Sequence, residues 1–114
     1  MHKPLRIHFH GVDSSPALET RIREEVDALH KVHAGITGCQ VNVRAPHQHH
    51  RHGAIYEVHI DLTVPGKELA VGREPGKDHA HEDVFVAVRD AFLAARRRLE
   101  KEADRAHGDV KRRE

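Results

Sequence analysis

The sequence predicts an α+β domain with a four-stranded mixed sheet and two helices packed on one face, in the order β-α-β-β-β-α. Three observations carry this reading. Four stretches alternate apolar and polar residues with a period of two, the signature of half-buried strands. Two longer stretches repeat apolar residues at three- and four-residue steps, which marks amphipathic helices. Each strand has a single apolar face, so both helices must cover the same side of the sheet.

The elements follow in order. Leu5, Ile7 and Phe9 alternate with Arg6, His8 and His10, giving a first strand that stops at the break from Gly11 to Ser15. Ser15-Pro16 reads as a helix start: a hydroxyl at the cap, then a proline where the first turn has no use for an N–H. Leu18, Ile22, Val26 and Leu29 continue the helix to about Val32, before Gly35 and Gly38. Cys39, Val41 and Val43 form a second strand that the pattern ends at Pro46. The polar stretch from His47 to Gly53 reads as a loop. Tyr56, Val58, Ile60, Leu62 and Val64 give the cleanest strand, and Pro65-Gly66 a turn. Leu69 and Val71 mark a short fourth strand that ends near Arg73. After the loop Glu74 to Asp78, a long helix runs from about His81 to about Arg105, and Gly108 ends its periodicity. One domain is therefore expected over residues 1–107, with a frayed, flexible tail over 108–114.

The first strand reaches the second through a helix, so the two should pair in parallel, and the later connections should be antiparallel hairpins. On that topology strands one, two and four finish at one edge. His10, His47, His49, His50, His52, His79 and His81 would then share a rim with the positive ends of both helix dipoles.

Composition narrows the function classes. The 114 residues suffice for one domain. No run approaches ~18 apolar residues, so no membrane span is encoded, and no charged start followed by an apolar core suggests a signal peptide. A lone cysteine, Cys39, forms no internal disulfide, fits a cytoplasmic setting and reads as a small buried strand residue. The formal net charge is +1 with histidine neutral, so any affinity for nucleic acid must come from segregated charge. The aromatics are Phe9, Tyr56, Phe85 and Phe92, and at least two of them look like core, which leaves little for base stacking.

The last helix has two faces. Val84, Val88, Ala91, Phe92, Ala95 and Leu99 form an apolar stripe, while Arg89, Arg96, Arg97, Arg98, Lys101 and Arg105 occupy the rest. Guanidinium groups donate in a planar fork that matches phosphate oxygens. The competing account is a solvated surface helix whose arginines pair with Glu100, Glu102 and Asp104.

The run His81-Glu82-Asp83-Val84-Phe85-Val86-Ala87-Val88-Arg89-Asp90-Ala91 resembles the segment opening the last helix of the ribosome hibernation-promoting factor family. That family includes the ribosome-associated translation inhibitors and is also known as the sigma-54 modulation proteins. Ser15-Pro16-Ala17-Leu18 resembles its first-helix entry, and the element order matches over nearly the whole chain. The resemblance implies a non-catalytic protein that binds the small ribosomal subunit and its ribosomal RNA. Such a protein occupies the messenger and transfer RNA sites in stationary phase or stress. It implies RNA contacts from Arg21 and Arg23 on the first helix, and from Arg89, Arg96, Arg97, Arg98, Lys101 and Arg105 on the last. It implies no cofactor, membrane or small-molecule substrate. The acidic tail of some short members and the C-terminal dimerisation domain of long members have no counterpart in these residues. The histidine-rich loop and the insertion Glu74 to Ala80 resemble a proteobacterial subgroup.

Other readings stay open. His47, His49, His50, His52, His79 and His81 offer imidazoles that could hold zinc, although no regular ligand frame is present. The same histidines could grip RNA more strongly once protonated. Sheet plus two helices is also the plan of the double-stranded-RNA-binding domain, so a generic RNA-binding module is an alternative. Glu82 and Asp83 beside histidines could imitate an acid/base pair, but carboxylates at a helix start more simply satisfy backbone N–H groups.

Overall fold

A computed structural model describes residues 5–49, 53–72 and 83–112, with side chains over 5–45, 56–72 and 83–104. The elements are β1 (Leu5–His10), α1 (Pro16–Val32), β2 (Gly38–His49), β3 (Gly53–Val64), β4 (Lys67–Val71) and α2 (Val84–Arg112). They form one sheet in the order β1-β2-β3-β4, with β1 parallel to β2 and the other pairings antiparallel. The predicted α+β class and element order are those observed.

Local chemistry starts and stops the elements. Ser15 caps α1, its Oγ accepting from the Leu18 N–H at 3.0 Å, with Pro16 in the first turn. Asp83 does the same for α2: its Oδ1 accepts from the Phe85 N–H at 2.8 Å and its carbonyl accepts from the Ala87 N–H at 3.0 Å. That carboxylate is therefore occupied with helix entry, as the simpler reading expects. Pro65-Gly66 joins β3 to β4, with Gly66 at φ +78°. Pro supplies the first central residue and Gly the left-handed second one of a tight turn. Gly72 leaves β4 at φ +80°, and a Cβ there would lie 2.3 Å from the Val58 carbonyl oxygen.

One core lies between the sheet and both helices. Leu18, Ile22, Val26 and Leu29 enter it from α1, and Val88, Phe92, Ala95 and Leu99 from α2. They meet Val41, Val43, Ile60 and Leu62 on the covered face of the sheet. Cys39 is buried in the same layer. Burial, reinforced by the negative charge of Asp61, pushes its thiol up to about 12.

Three boundaries differ from the sequence reading. β2 does not stop at Pro46 but continues to His49, and β3 begins at Gly53 rather than Tyr56. The register shifts between Arg44 and His47, and an irregularity of this kind accommodates a proline that cannot donate to the ladder. α2 runs on through Gly108 to Arg112, because an isolated glycine costs a helix only ~1 kcal/mol.

Strand ends are also not flush. β1 ends with His10 opposite Arg44, whereas β4 ends with Val71 opposite Ile60. The β2–β3 hairpin extends five residues past Arg44 to His49, roughly 16 Å of strand. Of the histidines expected on one rim, His10 ends β1 opposite Arg44, whereas His47 and His49 lie farther out along the projecting hairpin. The side chains of His47 and His49, and all of His50, His52, His79, His81 and the 74–80 loop, lie outside the described residues.

Candidate nucleic-acid interface

α2 is anchored along one stripe, and this fixes what its other sides present. Val88, Phe92, Ala95 and Leu99 are each under 5 % exposed. With 3.6 residues per turn, Arg97 and Lys101 fall on the side facing away from that stripe. Arg89 and Arg96 fall on one flank with Phe85, and Arg98 falls on the other flank with Glu102. Arg89, Arg96, Arg97, Arg98 and Lys101 are all exposed. None is tucked under the sheet.

Their electrostatic states differ. Arg89 pairs with its neighbour Asp90 at 3.3 Å, Arg96 with Glu100 at 3.3 Å and Arg98 with Glu102 at 3.7 Å. Glu102 also accepts from the Lys67 Nζ of β4 at 2.8 Å, which ties α2 to the sheet edge. Among the described residues Arg97 and Lys101 have no ion pair. The pairing named by the solvated-helix account is thus present for Arg96 and Arg98, while Arg89 takes Asp90 instead.

The three pairs do not remove those arginines from service. Their guanidinium side chains are about half exposed, at 55 %, 55 % and 48 %. Pairs this exposed contribute only ~0–1 kcal/mol and are readily exchanged for another anion. A phosphate, with more charge and several acceptor oxygens, is a better partner than a flexible surface carboxylate.

The α1 candidates do not form a single face with each other. Arg21 and Arg23 are two residues apart, so they point to different flanks of the helix. Arg23 is exposed and without an ion pair among the described residues. The Nε of Arg21 is itself buried without a hydrogen bond, 3.9 Å from the Glu25 carboxylate. Arg105 lies on the α2 backbone, but its side chain is outside the described residues.

Sequence reasoning missed a cleft at the end of the domain where both helices start. Gly11, Val12, Asp13, Ser15, Tyr56 and Phe85 are among the residues lining it, and its volume is about 310 Å³. Phe92 is core and Phe9 packs against core, as expected for two of the aromatics. Phe85, by contrast, is 42 % exposed. Spacing alone gave no signal for this, because Phe85 lies three residues before Val88 and seven before Phe92, at the edge of the stripe opposite Val84.

No group of three or more metal-ligating side chains occurs among the described residues, and the histidines proposed for zinc lie outside them. No helix among the described residues is long and apolar enough to cross a membrane.

The sequence profile of the family described as Sigma 54 modulation protein / S30EA ribosomal protein matches residues 5–107. Among curated proteins no significant sequence match is found. Several solved structures share the fold, among them the following two. A ribosomal subunit interface protein from Coxiella burnetii is similar at TM-score 0.69 and 16 % identity, over 89 % of this chain and 98 % of that one. The N-terminal domain of Protein Y from Thermus thermophilus is similar at TM-score 0.63 and 12 % identity, over 84 % of this chain and 93 % of that one.

Proposed function

Because the chain belongs to the Sigma 54 modulation protein / S30EA ribosomal protein family, we propose that it is a ribosome-associated stress factor. On this reading it binds the small ribosomal subunit through the outward side of α2. It blocks the messenger and transfer RNA sites, inhibits translation and preserves idle ribosomes. It works in the cytoplasm, as a binding protein and not as an enzyme, with ribosomal RNA as its partner and without a cofactor. The name of the Coxiella structure, a ribosomal subunit interface protein, supports the choice of partner.

The observation that carries the reading is the pair Arg97 and Lys101. Two cations four residues apart on a helix repel each other and weaken it by a few tenths of a kcal/mol. They are exposed, and among the described residues neither is in an ion pair. A helix serving only the fold gains nothing from that arrangement, whereas one that meets a phosphate backbone does. Arg89, Arg96 and Arg98 would add contacts once their carboxylates are exchanged for phosphates, with Arg23, Arg21 and Arg105 at the margin. A folded RNA would be read through backbone and shape rather than base sequence.

The test is sedimentation of the full chain with ribosomes. Wild-type protein should co-migrate with the small subunit and with whole ribosomes, and be released by salt. The double variant Arg97→Glu, Lys101→Glu should remain folded and stay at the top of the gradient. Binding of the double variant at wild-type strength would show that the surface is wrong. Equal affinity of the wild type for isolated duplex RNA would favour the generic RNA-binding module.

A further inference from the structure

We propose that the cleft between the two helix starts receives a single unstacked RNA base, with Phe85 as its stacking face. This rests on the ribosome-binding reading and adds a site to it. Among the described residues three large hydrophobic side chains are exposed, Val32 at 46 %, Leu93 at 47 % and Phe85 at 42 %, and of these Phe85 alone carries an aromatic ring. Exposing so much ring to water is unfavourable by the hydrophobic effect. Asp83, two residues earlier, fixes the start of the helix by accepting the Phe85 N–H at 2.8 Å, so the ring is mounted on a well-defined turn.

The cleft beside it suits a base in size and in chemistry. Its volume is about 310 Å³, and Tyr56 lines it together with Phe85. Aromatic faces are what RNA-binding proteins offer to splayed-out bases, and they stack without regard to sequence. Asp13 and Ser15 supply the polar side. The Asp13 carboxylate would repel a phosphate, so the occupant is not the backbone. A carboxylate accepts well from the exocyclic amino group of a base. Ser15 accepts from the Leu18 N–H through its oxygen, which leaves its O–H hydrogen able to donate to a base carbonyl or ring nitrogen. The phosphates flanking that base would meet Arg89 and Arg96, which follow Phe85 along the same flank of α2 and are each 55 % exposed. Ring, acceptor and cations are therefore ordered as base, base edge and backbone require.

The experiment compares ribosome association of the full wild-type chain with Phe85→Ala, Phe85→Leu and Phe85→Tyr, each checked by thermal denaturation. Because Phe85 is outside the core, all three should fold. Phe85→Ala should weaken association roughly tenfold, in the range of a lost base–aromatic stack. Phe85→Leu keeps the apolar bulk without a ring face and should lose nearly as much, whereas Phe85→Tyr should bind as the wild type does. A benzophenone photo-crosslinker placed at position 85 should attach to ribosomal RNA. Wild-type affinity in Phe85→Ala, full retention in Phe85→Leu, or crosslinking to ribosomal protein alone would overturn the proposal. The parent reading fails separately: if the double reversal at Arg97 and Lys101 binds normally, the α2 face is wrong. If the wild-type chain does not sediment with ribosomes, both readings fall.

Discussion

Replacing Lys101 by Glu should make the isolated protein more stable and its ribosome complex weaker. The argument counts neighbours at helical spacing. Lys101 has Arg97 four residues before it, Arg98 three before it, Asp104 three after it and Arg105 four after it. All lie on α2, which runs to Arg112. Reversing the charge turns three like-charge neighbours into opposite ones and one opposite neighbour into a like one. Each surface pair is worth ~0.2–0.5 kcal/mol, so two net pairs passing from repulsion to attraction should yield ~0.5–1 kcal/mol after solvent screening. For a domain of this size that is a rise in Tm of about 2–5 °C. The gain should appear in thermal denaturation at low salt and fade in 1 M salt, where the Debye length is only ~3 Å. Ribosome association should move the other way. Losing one phosphate contact should lower the slope of log affinity against log salt by ~0.7–0.9. A fall in Tm would mean that Lys101 has a stabilising partner in the folded protein. A gain persisting in 1 M salt would mean that its origin is not charge. Unchanged association would remove Lys101 from the interface.

Three further outcomes test the scaffold. Phe92 is 3 % exposed, so Phe92→Ala should cost ~3–5 kcal/mol in urea unfolding, and a loss under 1 kcal/mol would contradict its place in the core. Gly72→Ala forces both a left-handed backbone and a Cβ at 2.3 Å from the Val58 carbonyl oxygen; it should cost ~2–4 kcal/mol by the same measurement. Cys39, with its thiol pushed up to about 12, should react slowly with a thiol-specific disulfide reagent at pH 8 in the folded protein and rapidly in denaturant. The folded state holds that proton more tightly than the unfolded chain, whose thiol ionises near ~8.5. Its contribution to stability is therefore full below that pH and is lost as pH rises toward 12.

Features set by neighbouring residues were legible in the sequence. The Ser15-Pro16 helix entry, the Pro65-Gly66 turn and the stripe from Val84 to Leu99 all follow from local patterns, and the structure has each of them. Features set by partners far along the chain were not. Pro46 reads as the end of a strand because its missing N–H is a local fact, whereas the register shift that tolerates it depends on β3. Gly108 reads as a stop because glycine often ends helices, but its small cost does not break a helix already 24 residues along. The charge state of the outer face was legible in part. Spacing of four anticipates Arg96–Glu100 and Arg98–Glu102, while the Lys67–Glu102 bond joins residues 35 apart and needs the fold. The family resemblance groups Arg21 with Arg23, and helical geometry separates them.

The order of elements ties the packing of the sheet to the presentation of the charged face. β2, β3 and β4 form a meander of local hairpins, but α2 comes last in the chain. Until it is made, the sheet face carrying Val41, Ile60 and Leu62 lacks the half of its cover that Val88, Phe92 and Leu99 supply. The same late segment bears Arg97 and Lys101. Deleting α2 would thus uncover the sheet and remove those two cations in one step: in this fold, closure of the core and presentation of the charged side depend on the same helix.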